Sequence, residues 1–224
     1  MPEPDAPSLA PLDDVRRRIA AAARLARREP HDVTLVAIAK TQPAGRIAPL
    51  IAAGQRVFGE NRVQEAAAKW PALCEAQPEI ALHLVGRLQS NKADEAVRLF
   101  HAIHSLDRGS LVTALARAMD KIGRQVPCFV QVNLAGEPQK GGCALAELPG
   151  LLAAARAAAI PLAGLMCVPP EAIEPAPYFA LLAKLADDHG LPGPSMGMSG
   201  DFETAVMLGA THVRVGSALF GARG

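Results

Sequence analysis

The amino-acid sequence predicts a single (β/α)8 barrel, and three observations support this α/β fold class. Short apolar runs alternate repeatedly with helical patterns, which is the order that produces parallel βαβ units. The chain of 224 residues fits one such barrel at the short end of its size range. The turn after the first strand reads KTQP and lacks G-x-G-x-x-G, which disfavours the alternative architecture, a doubly wound dinucleotide-binding sheet.

The strands are predicted from short runs that are rich in apolar and β-branched residues. VTLVAIA at residues 33–39 is continuously apolar, which is typical of a strand buried on both faces. The eight predicted strands comprise residues 33–39, 56–59, 81–86, 102–106, 128–133, 161–166, 194–199 and 211–216.

The helices are predicted from the helical spacing of apolar residues and from end signals, such as Pro43 at one start and Gly54 after its end. An extra N-terminal helix at residues 13–28 places Val15 and Ile19 on its apolar face. We interpret its arginine-rich face as solvated, because acidic residues flank it. The helices between strands comprise residues 43–53, 61–70, 91–100, 107–122, 146–158, 175–189 and 201–208.

The composition predicts one folded cytoplasmic domain. Half of the residues are hydrophobic and 20% are charged, which excludes disorder of the whole chain. A net charge of +1 gives no bulk attraction to nucleic acid or to anionic membranes. The four cysteines contain no C-x-x-C pair, which favours reduced thiols in a reducing compartment. We expect a flexible tail at residues 1–11, without the apolar segment of a signal peptide, and the barrel at residues 12–224.

Function in a parallel barrel collects at the carboxyl ends of its strands, and Lys40 directly follows the first strand. A lysine at the end of a buried strand loses hydration, which disfavours its ammonium form. The neutral amine can then attack an aldehyde and form a Schiff base. The alternative is a lysine that extends to solvent and pairs with a carboxylate.

Two glycine- and serine-containing loops follow the last two predicted strands, where phosphate sites of this barrel are common. They read SMGMSGD at residues 195–201 and VRVGSALFG at residues 213–221, and they contain Ser199, Gly216 and Ser217. Glycine lets the backbone approach a ligand closely. For either loop alone, ordinary turn glycines are the simpler interpretation, but together the two loops indicate phosphate binding.

Arg214 interrupts an otherwise apolar strand, and we expect it to point into the barrel mouth rather than form a structural ion pair. A lysine amine, a phosphate site and an inward arginine together describe one ligand, pyridoxal 5′-phosphate (PLP). Its aldehyde would meet Lys40, and Arg214 would face the pyridine nitrogen. An arginine there disfavours protonation of that nitrogen and weakens the ring as an electron sink.

Other polar residues carry weaker signals. His83 lies between two leucines, which fits a buried core histidine and a pocket wall equally well. His101 and His104 lack neighbouring Cys or carboxylate ligands, so no metal site is predicted. The glycine-rich loop at residues 136–142 fits either a mobile lid or an ordinary surface loop.

The strand-end motifs, taken in order, resemble those of the pyridoxal phosphate homeostasis protein family (YggS/PROSC, PLPBP). They are VAIAKTQP, FGENRVQE, HLVGRLQSNK, GEPQKGG, GLM, MGMSGDFETAV and VRVGSALFGAR, and they span nearly the whole chain. The resemblance implies a barrel of the alanine-racemase N-terminal-domain type that holds PLP as a lysine Schiff base. By position in these motifs, the implied cofactor-binding residues are Lys40, Asn61, His83, Ser199, Arg214, Gly216 and Ser217.

The resemblance also implies a carrier rather than an enzyme, since members have no established catalytic activity and are linked to vitamin B6 and amino-acid balance. They buffer or deliver PLP, so apo PLP-dependent enzymes are the implied partners. Two positions depart from the pattern. Gln42 stands where many bacterial relatives have a second lysine, and Ser217 stands where threonine is common. Lys140, in the glycine-rich loop, still matches a family lysine.

The main alternative is a PLP-dependent amino-acid racemase or decarboxylase on the same barrel. Related racemases use a second β-rich domain, a partner subunit and a tyrosine base. The chain ends at Gly224, and its single tyrosine, Tyr178, falls in a predicted helix, so we expect a monomeric carrier. A thiol such as Cys167 would have to replace the missing base. A barrel that binds another phosphorylated metabolite without a Schiff base is the third possibility.

Overall fold

The computed structural model describes residues 9–171 and 173–221, and these residues form a closed parallel β-barrel surrounded by helices. The strands follow the order β4-β3-β2-β1-β9-β8-β7-β5, and pairing of β4 with β5 closes the barrel. The short strand β6 pairs with the last two residues of β5, with Val132 opposite Cys143. Their bounds are β1 Thr34–Ile38, β2 Val57–Glu60, β3 Ala81–Leu84, β4 Ala102–Leu106, β5 Cys128–Asn133, β6 Cys143–Ala144, β7 Leu162–Met166, β8 Pro194–Ser195 and β9 His212–Val215.

The α-helices occupy the outside of the barrel, and the predicted (β/α)8 fold with its extra N-terminal helix is confirmed. Their bounds are α1 Ala10–Leu25, α2 Ala44–Ala52, α3 Val63–Ala76, α4 Ala93–Leu99, α5 Gly109–Ile122, α6 Leu148–Ala157, α7 Ala176–Asp188, α8 Phe202–Met207 and α9 Ser217–Phe220. Residues 1–8 of the expected tail lie outside the described residues, and Ala10 and Pro11 already belong to α1.

Helix α1 packs against α8 and α9, so the N-terminal segment is part of the barrel's outer layer. Val15 and Ile19 on its apolar face are buried, as predicted. On the same helix, Arg18 donates two hydrogen bonds to Glu203 of α8, at 2.8 and 2.6 Å, and its guanidinium lies 4.6 Å from the ring centroid of Phe202. Burial of apolar side chains, together with this ion pair, therefore holds α1 against the last two helices of the barrel.

The structure differs from the predicted elements at four places. The predicted strand at residues 194–199 is regular only at Pro194–Ser195, because Gly197 turns the chain with φ +91°. Helix α3 continues through Pro71 to Ala76, where the proline removes one intrahelical hydrogen bond without ending the helix. Strand β6 and helix α9 are each too short for a periodic pattern to reveal.

Candidate functional site

A cavity of about 560 Å³ opens at the carboxyl ends of the strands. It brings together six of the seven sequence-predicted site residues: Lys40, Asn61, Ser199, Arg214, Gly216 and Ser217. Its walls also contain two residues that the sequence did not single out, Val168 and Glu171. The pairing of β1 with β9, with Ala37 opposite Val215, places the residues after both strands at the same rim.

Lys40 is partly buried at the end of β1, in a turn with an unusual backbone. The next residue, Thr41, has φ +63°, a left-handed conformation that is unfavourable for a β-branched side chain. The backbone N–H of Thr41 donates to the carboxylate of Glu65, 2.6 Å away. Strained backbone of this kind persists where its surroundings hold it, and such positions cluster at functional sites.

Lys69 of α3 binds the backbone of the turn that contains Lys40, a contact that the sequence did not reveal. Its Nζ donates to the backbone oxygens of Ala39 and Gln42, at 2.8 and 3.1 Å. It also contacts Oε1 of Glu60, at 2.7 Å, and Oε1 of Glu65, at 3.2 Å. The four-residue spacing of Glu65 and Lys69 is a signal for a helix-surface pair, but nothing in the sequence indicates that Lys69 reaches β1.

Glu60 is fully buried at the end of β2 and is the charge partner of Lys69. Burial raises the pKa of this carboxyl, while hydrogen bonds from Lys69 and from Nε1 of Trp70, 2.9 Å away, act in the opposite direction. The contact with Glu60 holds Lys69 in place, and Lys69 in turn holds the carbonyls of Ala39 and Gln42, which flank Lys40. The Lys40 turn thus rests on a buried polar cluster of Glu60, Lys69 and Trp70.

The opposite wall of the cavity is built by Ser199 and the end of β9. The hydroxyl oxygen of Ser199 accepts hydrogen bonds from the backbone N–H groups of Gly216 and Ala218, both at 3.2 Å. The chain reaches Ser199 through the turn at Gly197, where an added Cβ would lie 2.5 Å from the Cβ of Ala205. Because the hydroxyl oxygen already accepts two bonds, its own O–H remains to donate, as an anionic ligand requires.

Arg214 lies on β9 between these two walls, with 5% of its surface exposed. Its Nη1 donates to the hydroxyl of Ser195 at 2.7 Å, and its Nη2 donates to the carbonyl of Cys167 at 2.8 Å. Burial lowers the pKa of Arg214, yet a guanidinium keeps its proton in proteins. Arg214 is therefore a fixed, positively charged hydrogen-bond donor in the cavity wall.

His83, the seventh predicted site residue, lies in the barrel interior and connects to Arg214 through a hydrogen-bonded chain. Its Nδ1 lies 3.0 Å from Nε2 of His104, and Nδ1 of His104 lies 2.9 Å from the hydroxyl of Ser195. His104 also stacks on Phe129, with ring centroids 4.3 Å apart. His83 thus has the contacts of a core histidine, and its connection with the cavity is indirect.

The interior histidines are neutral at neutral pH. Burial lowers the pKa of His83 to about 3 and that of His212 to about 4, and it places the pKa of His104 well below its ordinary value. Arg214 can only donate to Ser195, so the Ser195 hydroxyl donates onward to Nδ1 of His104. His104 then carries its proton on Nε2 and donates to Nδ1 of His83. This chain assigns one tautomer to each ring.

The structure also places Cys167, Tyr178 and Lys140, three further residues considered from the sequence. Burial raises the pKa of the Cys167 thiol to about 12, which makes it a poor substitute for the base of a racemase. Tyr178 lies in helix α7, as predicted. Lys140 donates to the carbonyl of Pro169 at 3.0 Å and pairs with Glu137, so it ties the 136–142 loop to the segment after β7.

The described residues contain neither a metal-binding cluster nor a membrane-spanning helix. Within the described ranges, no group of three or more His, Cys, Asp or Glu side chains is arranged to hold a metal ion. Helices long and apolar enough to cross a membrane are likewise not found in residues 9–171 and 173–221. The four cysteines are free thiols, as the sequence predicts.

Comparison with known proteins agrees with this geometry. A family model described as alanine racemase, N-terminal domain, matches residues 11–224. A Pseudomonas aeruginosa protein named pyridoxal phosphate homeostasis protein is 40% identical over 215 residues, which cover 93% of each chain. The Escherichia coli K12 protein of the same name is 38% identical over 225 residues, which cover 95% of each chain.

A solved structure extends the comparison to three dimensions. PipY of Synechococcus elongatus PCC7942, solved with PLP bound, is 39% identical, with a TM-score of 0.77, and covers 91% of this chain and 100% of that one. The curated relatives are named for homeostasis and not for a reaction. The resemblance inferred from the motifs is confirmed: this chain belongs to the pyridoxal phosphate homeostasis protein family, built on the alanine racemase N-terminal domain.

Proposed function

We propose that this protein binds PLP in the 560 Å³ cavity, holds it on Lys40 as a Schiff base, and buffers or delivers it in vitamin B6 homeostasis. One observation carries the proposal: a single cavity contains a lysine at one wall, serine hydroxyls at the other, and a guanidinium between them. The Schiff base forms when the Nζ amine of Lys40 condenses with the aldehyde and one water molecule leaves.

The donor groups of the cavity fit the chemical groups of PLP. Its volume lies within the range of about 300–1,000 Å³ that small-molecule sites occupy. Ser199 and Ser217 supply hydroxyls for a phosphate, and Gly216 leaves the backbone open to close approach. Asn61 adds an amide at the rim after β2. The cofactor supplies a reactive aldehyde and an aromatic ring, and the protein supplies every group that holds them.

Arg214 favours holding the cofactor over transforming it. A guanidinium offers only N–H donors, so a pyridine nitrogen that meets Arg214 has to accept and stays unprotonated. The unprotonated ring withdraws electrons weakly, which slows chemistry at an amino-acid carbon. Ser195 and the Cys167 carbonyl hold the guanidinium in place. In this proposal, an N–H donor of Arg214 therefore continues to face the pyridine nitrogen. His83 supports Arg214 from the interior in this proposal.

The setting we propose is the cytoplasm, with PLP and apo PLP-dependent enzymes as partners and the chain acting as a monomer. Free thiols at all four cysteines support a reducing compartment. The open mouth of the cavity, where Ser217 and Gly221 lie at the rim, supports exchange of the cofactor with solvent or with a recipient.

The visible absorbance of the purified protein after addition of PLP tests the cofactor proposal. We expect a yellow protein whose cofactor becomes fixed by borohydride, and Lys40→Ala should abolish that fixation. Lys184→Ala is the matched control, since Lys184 lies exposed on α7 and pairs with Asp188. A wild-type protein that takes up no PLP would refute the proposal.

A separate experiment distinguishes a carrier from an enzyme. The PLP-loaded protein is incubated with single-enantiomer amino acids, and both enantiomers are measured over time. We expect no sustained turnover, whereas conversion over many cycles would contradict the carrier function. Transfer of PLP to an apo-enzyme, measured against release into a PLP trap, then tests delivery.

A further inference from the structure

A second cavity, of about 350 Å³, lies beside the cofactor cavity at the same end of the barrel. Two segments form it, one following β2 and the other following β3. Asn61 lines both cavities, so the two share a wall. Its charged and polar lining residues are Asn61, Arg62, Gln64, Arg87, Gln89 and Lys92.

The backbone of the second cavity is held rigidly. Gly86 packs directly on the neighbouring segment, because a Cβ there would lie 2.2 Å from the carbonyl oxygen of Asn61. Arg108 donates to the carbonyl of Leu88 at 2.9 Å and to the hydroxyl of Ser90 at 3.2 Å. The cationic side chains of the second cavity therefore project from a backbone that is held in place, which lowers the entropic cost of binding a ligand.

Positive charge exceeds negative charge around this cavity. Lys92 pairs with Glu95 at 2.8 Å. Arg87 lies 3.8 Å from Asp107, a carboxylate that already pairs with Arg108 at 2.5 Å. Arg62 makes no ion pair or hydrogen bond through its side chain within the described part of the chain. Counting Arg108, four cations face two carboxylates, which leaves a surplus of positive charge at the cavity.

Backbone donors add to the side-chain cations. Arg62 is the N-cap residue of helix α3, and its side chain makes no capping hydrogen bond. Its first intrahelical hydrogen bond runs from the N–H of Ala66 to the carbonyl of Arg62, so the N–H groups of Val63 and Gln64 have no acceptor within the helix. Both residues line the cavity. Guanidinium, ammonium and helix N–H groups together match the oxygens of a phosphate.

We propose that the second cavity binds the phosphate group of a small phosphate monoester beside the mouth of the cofactor cavity. The shared wall at Asn61 makes an arriving or departing B6 phosphate the fitting ligand, and this identification rests on the proposed function. The site is distinct from the phosphate wall at Ser199 and Gly216. A carrier with such a site holds a second molecule beside the cofactor cavity while the first is bound.

Calorimetric titration tests the proposal on protein whose PLP has been fixed to Lys40 by borohydride, which keeps the main cavity filled. Pyridoxamine 5′-phosphate, which has no aldehyde, and inorganic phosphate are the two titrants. We expect one further binding event, weakened by added salt and weakened about tenfold or more in Arg62→Gln. Arg117→Gln, an exposed arginine of α5 outside the cavity, should leave it unchanged.

The titrants separate the sources of the phosphate. Tighter binding of pyridoxamine 5′-phosphate than of inorganic phosphate supports a B6 ligand, and equal binding supports a general phosphate site. Absence of the further binding event, or equal weakening by Arg62→Gln and Arg117→Gln, would overturn the proposal. If borohydride fixes no PLP, the proposed function fails. In that case the same titrations are made with the Lys40→Ala variant and with the Lys40→Ala/Arg62→Gln double variant. Weaker binding in the double variant would still support the second cavity, and equal binding would overturn it.

Discussion

Arg214 donates a hydrogen bond from Nη1 to the hydroxyl of Ser195, 2.7 Å away on the neighbouring strand. The same hydroxyl lies 2.9 Å from Nδ1 of His104, which connects the cavity wall to the barrel interior. Ser195 is fully buried, so each of its hydrogen-bond partners depends on it. A short polar chain thus holds the guanidinium that, in the proposed function, faces the ring of the cofactor.

Replacing Ser195 by alanine should loosen Arg214. The change leaves a buried donor on Arg214 and a buried acceptor on His104 without partners, which should cost about 1–3 kcal/mol of unfolding free energy. The absorption maximum of bound PLP should shift as the guanidinium moves. Urea unfolding and a visible spectrum measure both effects. Ser110→Ala, at an exposed position of α5, serves as the control, and an unchanged spectrum in Ser195→Ala would argue against a positioning role for Ser195.

Acid should destabilise the fold through its neutral histidines. The folded-state pKa values of His83 and His212 lie at about 3 and about 4, below the ordinary value of 6.5. Between those values and 6.5 the unfolded chain binds more protons than the folded one, so the unfolding free energy falls as the pH falls. Each such histidine contributes a slope of up to about 1.4 kcal/mol per pH unit.

Urea unfolding at a series of pH values below neutrality measures this slope. His212→Asn should make the slope shallower, because it removes one histidine that binds a proton in the unfolded chain but not in the folded one. His31→Asn is the control, since the His31 side chain is 82% exposed. A stability that does not change between neutral pH and mildly acidic pH would show that the interior histidines are charged in the fold.

Lys69→Met should disrupt the turn that carries Lys40. It removes the donor to the Ala39 and Gln42 carbonyls and leaves Glu60 as a buried carboxylate without its cation. Breaking a buried pair on one side costs about 3–5 kcal/mol, so we expect strong destabilisation and slower fixation of PLP.

The double variant Lys69→Met/Glu60→Gln distinguishes the two effects of that change. Removing the buried charge should recover much of the unfolding free energy, while the Lys40 turn still lacks its support. Slow PLP fixation in a stable double variant is therefore the expected result. Wild-type rates in the double variant would mean that Lys69 serves stability alone.

Ser199→Ala should weaken the binding of PLP without unfolding the protein. The Ser199 hydroxyl accepts from the N–H groups of Gly216 and Ala218 and, in the proposed function, donates to the phosphate. Loss of a charge-assisted hydrogen bond corresponds to about a tenfold weaker affinity or more. Equilibrium titration of PLP measures the effect, with Ser110→Ala again as the control. An unchanged dissociation constant would place the phosphate elsewhere.

The alternation of strand and helix patterns predicted the fold from the sequence. The carboxyl ends of the strands predicted most of the cavity, because residues that follow parallel strands meet at one rim. Lys40, Ser199 and Arg214 meet there as expected. The hydrogen bonds that hold these residues in place were not predictable in the same way. Lys69 reaches the turn after β1 from the middle of a helix, and Ser195 and His104 are 91 residues apart along the chain. Such contacts depend on register and side-chain direction, which hydrophobic periodicity does not encode.

Mapping the lysine that carries PLP tests the central claim most directly. The wild-type protein is loaded with PLP, reduced with borohydride and digested, and its peptides are analysed by mass spectrometry. The account predicts one cofactor per chain on the peptide that contains Lys40. Modification spread over surface lysines, or placed on Lys69 or Lys140 with Lys40 unmodified, would contradict it.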